Sequence, residues 1–201
     1  MNQILLVEGK DDLFVFSNIF EIHNVKQSFE IIDKEGIDPL FQSIPIYVKA
    51  DNSTIGIVID ADSDINSRWN SLKSILSELG YSIPSSPTNT GTIISDKALP
   101  TIGIWIMPNN DEHGMLEDFV KQLIPVDDKL MPIIETTLSD IESKSLNNYK
   151  LIHKSKAKIH TWLAWQESPG TPMGLAINKT YLKTNNKLST IFVDWANSLY
   201  N

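Results

Sequence analysis

The chain has 201 residues, a net charge of −8 and no cysteine. The absence of cysteine excludes disulfides, thiolate zinc sites and cysteine nucleophiles, and it is typical of a protein of the reducing cytoplasm. The acidic balance opposes general binding to nucleic acid. Because the sequence shows neither a secretory leader nor a stretch of about 18 apolar residues, we expect no export and no membrane anchoring.

The first half of the chain alternates predicted strands with predicted helices. In chain order these are a strand at 3–7, a helix at 11–23, a strand at 28–32, an irregular helix after Gly36 that is interrupted at Pro45, a strand at 55–60 and a helix at 65–79. Apolar positions of the first helix form a predicted buried stripe, namely Leu13, Phe14, Phe16, Ile19 and Phe20. This β-α-β-α-β-α order predicts right-handed crossovers and a mainly parallel sheet.

The second half of the chain is predicted to be mainly helical. In chain order it holds a loop at 82–91, short apolar runs at 92–95 and 102–107, a helix at 115–124, and mostly helical chain from 127 onward with a break at 169–174. The two apolar runs either form a hairpin or extend the sheet. We therefore predict an α/β fold, a mainly parallel sheet flanked by helices, with a core at 1–125 and a helical C-terminal extension at 126–201 packed on the same domain.

Two of the predicted strands end abruptly in carboxylates. Glu8 follows the first strand, and Asp60 and Asp62 follow the third. The ligand crevice of an open α/β sheet lies outside the carboxyl ends of its strands, and residues two apart in an extended segment point the same way. Such acids are suitable ligands for Mg²⁺. The alternative is that they are solvated acids at strand ends, with Glu8 an ordinary helix-entry residue.

Two familiar binding motifs are excluded by residue spacing. The Gly9–Lys10 pair lacks both the four-residue spacing between glycines and the hydroxyl residue of a phosphate-binding loop. The alternating acids at 60–64 resemble the start of a calcium-binding loop. However, Ile65 occupies the position of the obligatory glycine, and Ser71 occupies that of the bidentate glutamate.

The acidic motifs resemble the TOPRIM domain, which topoisomerases, bacterial primases, ribonuclease-M5-like enzymes and OLD-type nucleases share. The resemblance covers residues 3–120 and rests on Glu8–Gly9 after the first strand and Asp60–Ala61–Asp62 after the third. OLD-like members add an acid four residues after the glutamate, here Asp12, and a Leu-Glu pair that opens a later helix, here Leu116–Glu117. The resemblance implies a TOPRIM-like, Rossmann-type sheet.

Further segments are similar to a stand-alone branch of this superfamily: 103–108, 163–166 and 169–174. The family resemblance implies Mg²⁺- or Mn²⁺-dependent hydrolysis of phosphodiester bonds in DNA or RNA. It assigns Glu8, Asp60 and Asp62 to a first ion, and Asp12 and Glu117 to a second. In such a scheme one ion activates the attacking water and the other stabilises the leaving oxygen.

The same family carries a late lysine near the metals, for which Lys156 and Lys158 are the candidates. The alternative for both is a solvated helix face. Arg68 is the only arginine, so few cations are available to neutralise phosphates. The 201 residues also include no ATPase domain of the kind that OLD proteins carry upstream. We therefore expect a separate ATPase partner that helps to hold the nucleic acid; the oligomeric state is not predicted.

Two other functions stay open at this point. One is a metal-stabilised regulatory or interaction module that keeps the fold and has no catalytic activity. The other is a nucleotide-sugar transferase, which also uses an Asp-x-Asp sequence after a strand to hold a metal-bound diphosphate. The transferase hypothesis would leave the acids at 8–12 unexplained.

Overall fold

The computed structural model describes residues 2–50 and 52–201; Met1 and Asp51 lie outside the described residues. The strands are β1 (Asn2–Val7), β2 (Glu30–Asp33), β3 (Asn52–Asp60), β4 (Thr92–Ile94) and β5 (Thr101–Met107). The helices are α1 (Lys10–Ile22), α2 (Ile37–Lys49), α3 (Ile65–Glu78), α4 (Leu116–Lys121), α5 (Leu130–Ser143), α6 (Lys154–Ala164), α7 (Met173–Asn178) and α8 (Lys187–Tyr200), with a short 3-10 helix at Leu151–His153.

The five strands form one sheet in the order β2-β1-β3-β5-β4. Strands β2, β1, β3 and β5 run parallel, whereas β4 runs antiparallel to β5. The predicted α/β class with a mainly parallel sheet is therefore confirmed, and the two short apolar runs both pair with each other and extend the sheet. Because the chain leaves β1 toward β2 and returns to β3 on its other side, the strand order reverses between β1 and β3. Ligands of open α/β sheets bind at such a reversal.

Alternate residues along the strands supply two separate apolar layers. In β1, Leu5 and Val7 contribute to one cluster together with side chains of α1 and the helices after β5, whereas Ile4 and Leu6 contribute to the other with α2 and α3. A sheet covered on both faces needs strands that are apolar at every position. This requirement explains why β1 and β3 read as continuous apolar runs in the sequence.

Helix α8 packs directly against the centre of the sheet. Gly56 of β3 and Gly103 of β5 are paired neighbours in the sheet, and a Cβ added at either position would collide with Tyr200 or Leu199 of α8. The Tyr200 hydroxyl donates a hydrogen bond of 2.7 Å to the carbonyl of Ile4. The C-terminal helix and the first strand therefore belong to one packed core.

Two local predictions differ from the structure. Helix α2 continues through Pro45 without interruption, because Leu40, Ile44 and Val48 on both sides of the proline are anchored in the apolar layer under the sheet. The Phe14 side chain, predicted in the buried stripe of α1, is 55% exposed. The buried face of α1 instead consists of Asp12, Val15, Phe16, Ile19 and Phe20, from which the Phe14 side chain points away.

Within the described residues, no helix is both long enough and apolar enough to cross a membrane.

Candidate functional site

The candidate site lies where β1 and β3 end side by side. Only Glu8 and Gly9 separate β1 from α1, so the Glu8 side chain projects from the sheet edge immediately before the helix. Its Oε1 atom accepts a hydrogen bond of 2.7 Å from the backbone N–H of Asp60 at the end of β3. The Glu8 carboxylate is therefore hydrogen-bonded to the backbone of the Asp60–Ala61–Asp62 segment.

Asp12 is directed toward this point by the start of α1. Its Oδ2 atom accepts a hydrogen bond of 3.1 Å from the backbone N–H of Gly9, the residue that precedes the helix. This hydrogen bond satisfies one of the free N–H groups at the helix start. It also holds the Asp12 carboxylate under the first turn, where its side chain is only 8% exposed.

Asp60 joins the site to the later part of the chain. Its Oδ1 atom accepts a hydrogen bond of 2.9 Å from the backbone N–H of Leu116, the first residue of α4. The next residue, Glu117, is 4% exposed, and its Oε1 atom lies 3.8 Å from Nζ of Lys156 on α6. The predicted Leu-Glu pair thus opens a helix whose position depends on Asp60.

These side chains surround a cavity of about 320 Å³. The lining residues are Glu8, Gly9, Lys10, Asp11, Asp12, Gly36, Asp60, Leu116, Glu117 and Lys156. Four of the five predicted metal ligands and one of the two candidate lysines therefore face the same space. Among the residues that the structure describes, Asp62 and Lys158 do not line this cavity.

The cavity is electrostatically unfavourable in the absence of a cation. Burial raises the pKa of Asp12 to about 8, and the negative charge of Glu8 is the next cause. Burial is also the largest cause that raises the pKa of Asp60, followed by the charges of Asp12 and Glu8. The pKa of Glu117 is raised by burial as well, although the charge of Lys156 opposes the rise. These carboxylates therefore oppose each other's ionisation.

The chemistry of the donor set fits a hard divalent cation. All the acidic ligands offer oxygen atoms, which Mg²⁺ prefers. In Glu8, Asp12 and Asp60, one carboxylate oxygen accepts a backbone N–H, which leaves the second oxygen of each for a ligand. In the part of the chain that the structure describes, no three His, Asp or Glu side chains already stand in an arrangement that would hold an ion. The side chains would have to turn toward an ion to bind it.

Asp62 departs from the geometry that the sequence predicts. Strand β3 ends at Asp60, and Asp62 has a φ of 52°, so the rule for extended segments does not apply to this pair. The backbone of Asp62 is fixed by two hydrogen bonds of 2.8 Å to Gly114, one in each direction. Its carboxylate forms an ion pair with Arg68 of α3.

The Arg68–Asp62 ion pair is the feature of this region that the sequence motifs did not indicate. Burial is the main cause that raises the pKa of Glu8, and among smaller causes the charge of Arg68 lowers it and that of Asp62 raises it. The ion pair therefore lies close to the cavity. The one available signal was that Arg68 is the only arginine in the sequence. Asp64, which follows in the same acidic run, is the N-cap of α3 and accepts the N–H groups of Asn66 and Ser67.

The two candidate lysines occupy different environments. Lys156 lines the cavity, whereas Nζ of Lys158 donates a hydrogen bond of 3.1 Å to Oε1 of Glu135 on α5. Helix α6, which carries both lysines, is attached to α4 by a hydrogen bond of 2.6 Å from Ser155 Oγ to Asp118 Oδ1. That contact fixes Lys156 beside Glu117.

Comparison with known proteins identifies the family to which this chain belongs. Neither the curated proteins nor the solved structures contain a match to this chain. A family model described as a protein of unknown function (DUF3226) matches residues 2–201. Since this match spans nearly all of the 201 residues, the chain belongs to the DUF3226 family of proteins of unknown function.

Proposed function

We propose that the protein is a Mg²⁺- or Mn²⁺-dependent hydrolase that cleaves phosphodiester bonds of DNA or RNA. The observation that carries the proposal is that Glu8, Asp12, Asp60 and Glu117 line one cavity together with Lys156. These acids come from three separated parts of the chain, and they are four of the five acids that the TOPRIM resemblance assigns to metal binding; the fifth is Asp62.

The energetics of the cavity favour a cation as its natural ligand. Burying a carboxylate without a partner is costly. Burial is the largest cause that raises the pKa of Asp12 and of Asp60, and the negative charges of the neighbouring carboxylates raise both pKa values further. Perturbed acids in a cleft are frequent at functional sites. A divalent cation would replace this mutual repulsion by attraction, which is a reason for a protein to retain such an arrangement.

Each acid has a distinct positioning role in this proposal. Glu8 and Asp60 would hold an ion between the ends of β1 and β3, while Asp12 and Glu117 would add ligands from α1 and α4. Such an ion, when bound, would supply the charge that activates water and stabilises the leaving oxygen. The backbone hydrogen bonds to Glu8, Asp12 and Asp60 would keep their free oxygens in place while the substrate binds.

Lys156 is the better of the two lysine candidates for contact with phosphate. Its side chain is 47% exposed at the rim of the cavity and lies 3.8 Å from Glu117, so the ammonium group can move between Glu117 and a bound phosphate. A cation at this place would stabilise negative charge that develops on phosphate. Lys158 is already paired with Glu135.

The proposal includes a partner protein. The net charge of −8 disfavours unaided binding to a polyanion, so we propose that a separate, ATPase-containing protein presents the nucleic acid to this site. We place the activity in the cytoplasm, in keeping with the absence of cysteine from the sequence.

The test is cleavage of plasmid DNA, single-stranded DNA and structured RNA in the presence of Mg²⁺ or Mn²⁺, with wild type and with Asp60→Asn. The Asn side chain retains an oxygen that can accept the Leu116 N–H, as Asp60 Oδ1 does, so the variant should fold. We expect metal-dependent cleavage by the wild type and its loss in the variant. Asp38→Asn, which changes an exposed acid in the first turn of α2, is the matched control.

Two results would contradict the proposal in different ways. Metal-dependent cleavage that survives Asp60→Asn unchanged would remove this cavity from the reaction. Binding of Mn²⁺ without cleavage of any substrate, including substrates presented by an ATPase partner, would instead support a metal-binding module with no catalytic activity.

A further inference from the structure

Asp62 has a fixed backbone and a carboxylate that is held away from the cavity lining. The two hydrogen bonds with Gly114 fix the position of its main chain, and Gly114 has a φ of 140°, which a glycine adopts far more readily than other residues. Only rotation of its side chain is therefore free to change the direction of the Asp62 carboxylate.

The partner of that carboxylate is the guanidinium of Arg68. Arg68 is the fourth residue of α3, and the Arg68 and Asp62 side chains are 22% and 32% exposed. Both side chains are thus half-buried beside the cavity, where an ion pair is stronger than at a fully exposed position. No other arginine is present in the sequence.

We propose that Arg68 is a positioning residue that competes with a divalent cation for the Asp62 carboxylate. With Arg68 paired, Asp62 stays beside the cavity; when an ion binds, Asp62 leaves Arg68 and adds a further oxygen ligand. The positive charge of the released guanidinium is then no longer paired, and it lies beside the cavity. This inference rests on the proposed metal site and adds a cation-dependent exchange of partners to it.

The experiment measures Mn²⁺ binding by the full chain with isothermal titration calorimetry and electron paramagnetic resonance. Arg68→Gln should tighten Mn²⁺ binding roughly twofold to fivefold, the upper part of the range for ion pairs that keep some exposure to solvent. Arg68→Lys keeps the positive charge and should restore an affinity close to that of the wild type. Arg68→Met, which keeps the aliphatic stem, serves as a second variant if Arg68→Gln does not fold.

Two controls separate the ion pair from general electrostatics. Lys73→Gln removes one positive charge from the same helix α3 and should leave Mn²⁺ affinity near that of the wild type. In an Asp62→Asn background the gain from Arg68→Gln should fall to the level of the Lys73→Gln control, because the contested carboxylate is gone.

The outcomes distinguish this inference from the proposed function. Mn²⁺ binding by the wild type that is unchanged or weakened by Arg68→Gln would overturn the competition and leave the metal site intact. A gain that persists undiminished in the Asp62→Asn background would also overturn it. Failure of the wild type and of every variant to bind Mn²⁺ would overturn both the metal site and the competition.

Discussion

Replacement of Asp12 by Asn tests whether the acidic cavity lowers the stability of the folded protein at neutral pH. Burial and then the charge of Glu8 raise the pKa of Asp12 to about 8. The amide oxygen of an Asn at this position can still accept the Gly9 N–H that Asp12 Oδ2 accepts at 3.1 Å. The substitution therefore removes the buried charge and retains the helix cap.

The sign and size of the effect follow from proton linkage. The ordinary pKa of Asp12 is 3.8, well below its value of about 8 in the folded protein, so between these pH values the folded state binds more protons than the unfolded state. The free energy of unfolding should therefore fall as the pH rises from about 4 to about 8, by about 1.4 kcal/mol per pH unit for one full proton. Burial raises the pKa of Glu8 and Glu117 as well, so they contribute with the same sign.

Urea denaturation in the presence of a chelator, repeated across this pH range, measures the effect. Asp12→Asn should match the wild type at about pH 4 and exceed its stability by several kcal/mol at about pH 8, because the variant has no proton to lose at this position. Asp38→Asn, at an exposed acid in the first turn of α2, should follow the wild-type curve. If Asp12→Asn loses stability with pH as steeply as the wild type, the reasoning about the cavity is wrong.

Three further predictions concern the two candidate lysines, the acid Glu117 and the packing of the core. Lys156→Met should lower the rate of metal-dependent cleavage about 100-fold, as loss of a transition-state contact does, whereas Lys158→Met should leave it near the wild-type rate; equal losses would reject the assignment. Glu117→Gln should weaken Mn²⁺ binding in calorimetry while circular dichroism stays unchanged, and wild-type affinity would remove Glu117 from the site. Gly103→Ala should cost about 1–3 kcal/mol in urea denaturation through overpacking against Leu199 of α8, and unchanged stability would show that α8 can move away freely.

Local sequence signals were sufficient for the central strands and for several helix boundaries. The apolar runs of β1 and β3 predicted doubly covered strands because a buried parallel strand tolerates few polar residues. The ends of α1 and α3 could be predicted because they depend on neighbouring residues: Asp12 caps the start of α1, and Gly80 follows α3 with a φ of 97°. The same kind of local signal failed at Pro45, because the packing of α2 under the sheet outweighs the missing N–H.

The sequence by itself determined which residues have the chemistry of a metal site, since acids that end apolar strands can be read directly. Only the tertiary structure decided which of them meet: Asp60 holds Leu116, 56 positions away along the chain, and thereby brings Glu117 to the cavity. It also turned Asp62 toward Arg68 and, through the contact of Ser155 with Asp118, placed Lys156 rather than Lys158 beside the cavity. The physical reason is that these arrangements depend on hydrogen bonds and packing between distant segments, which no local pattern of residues encodes.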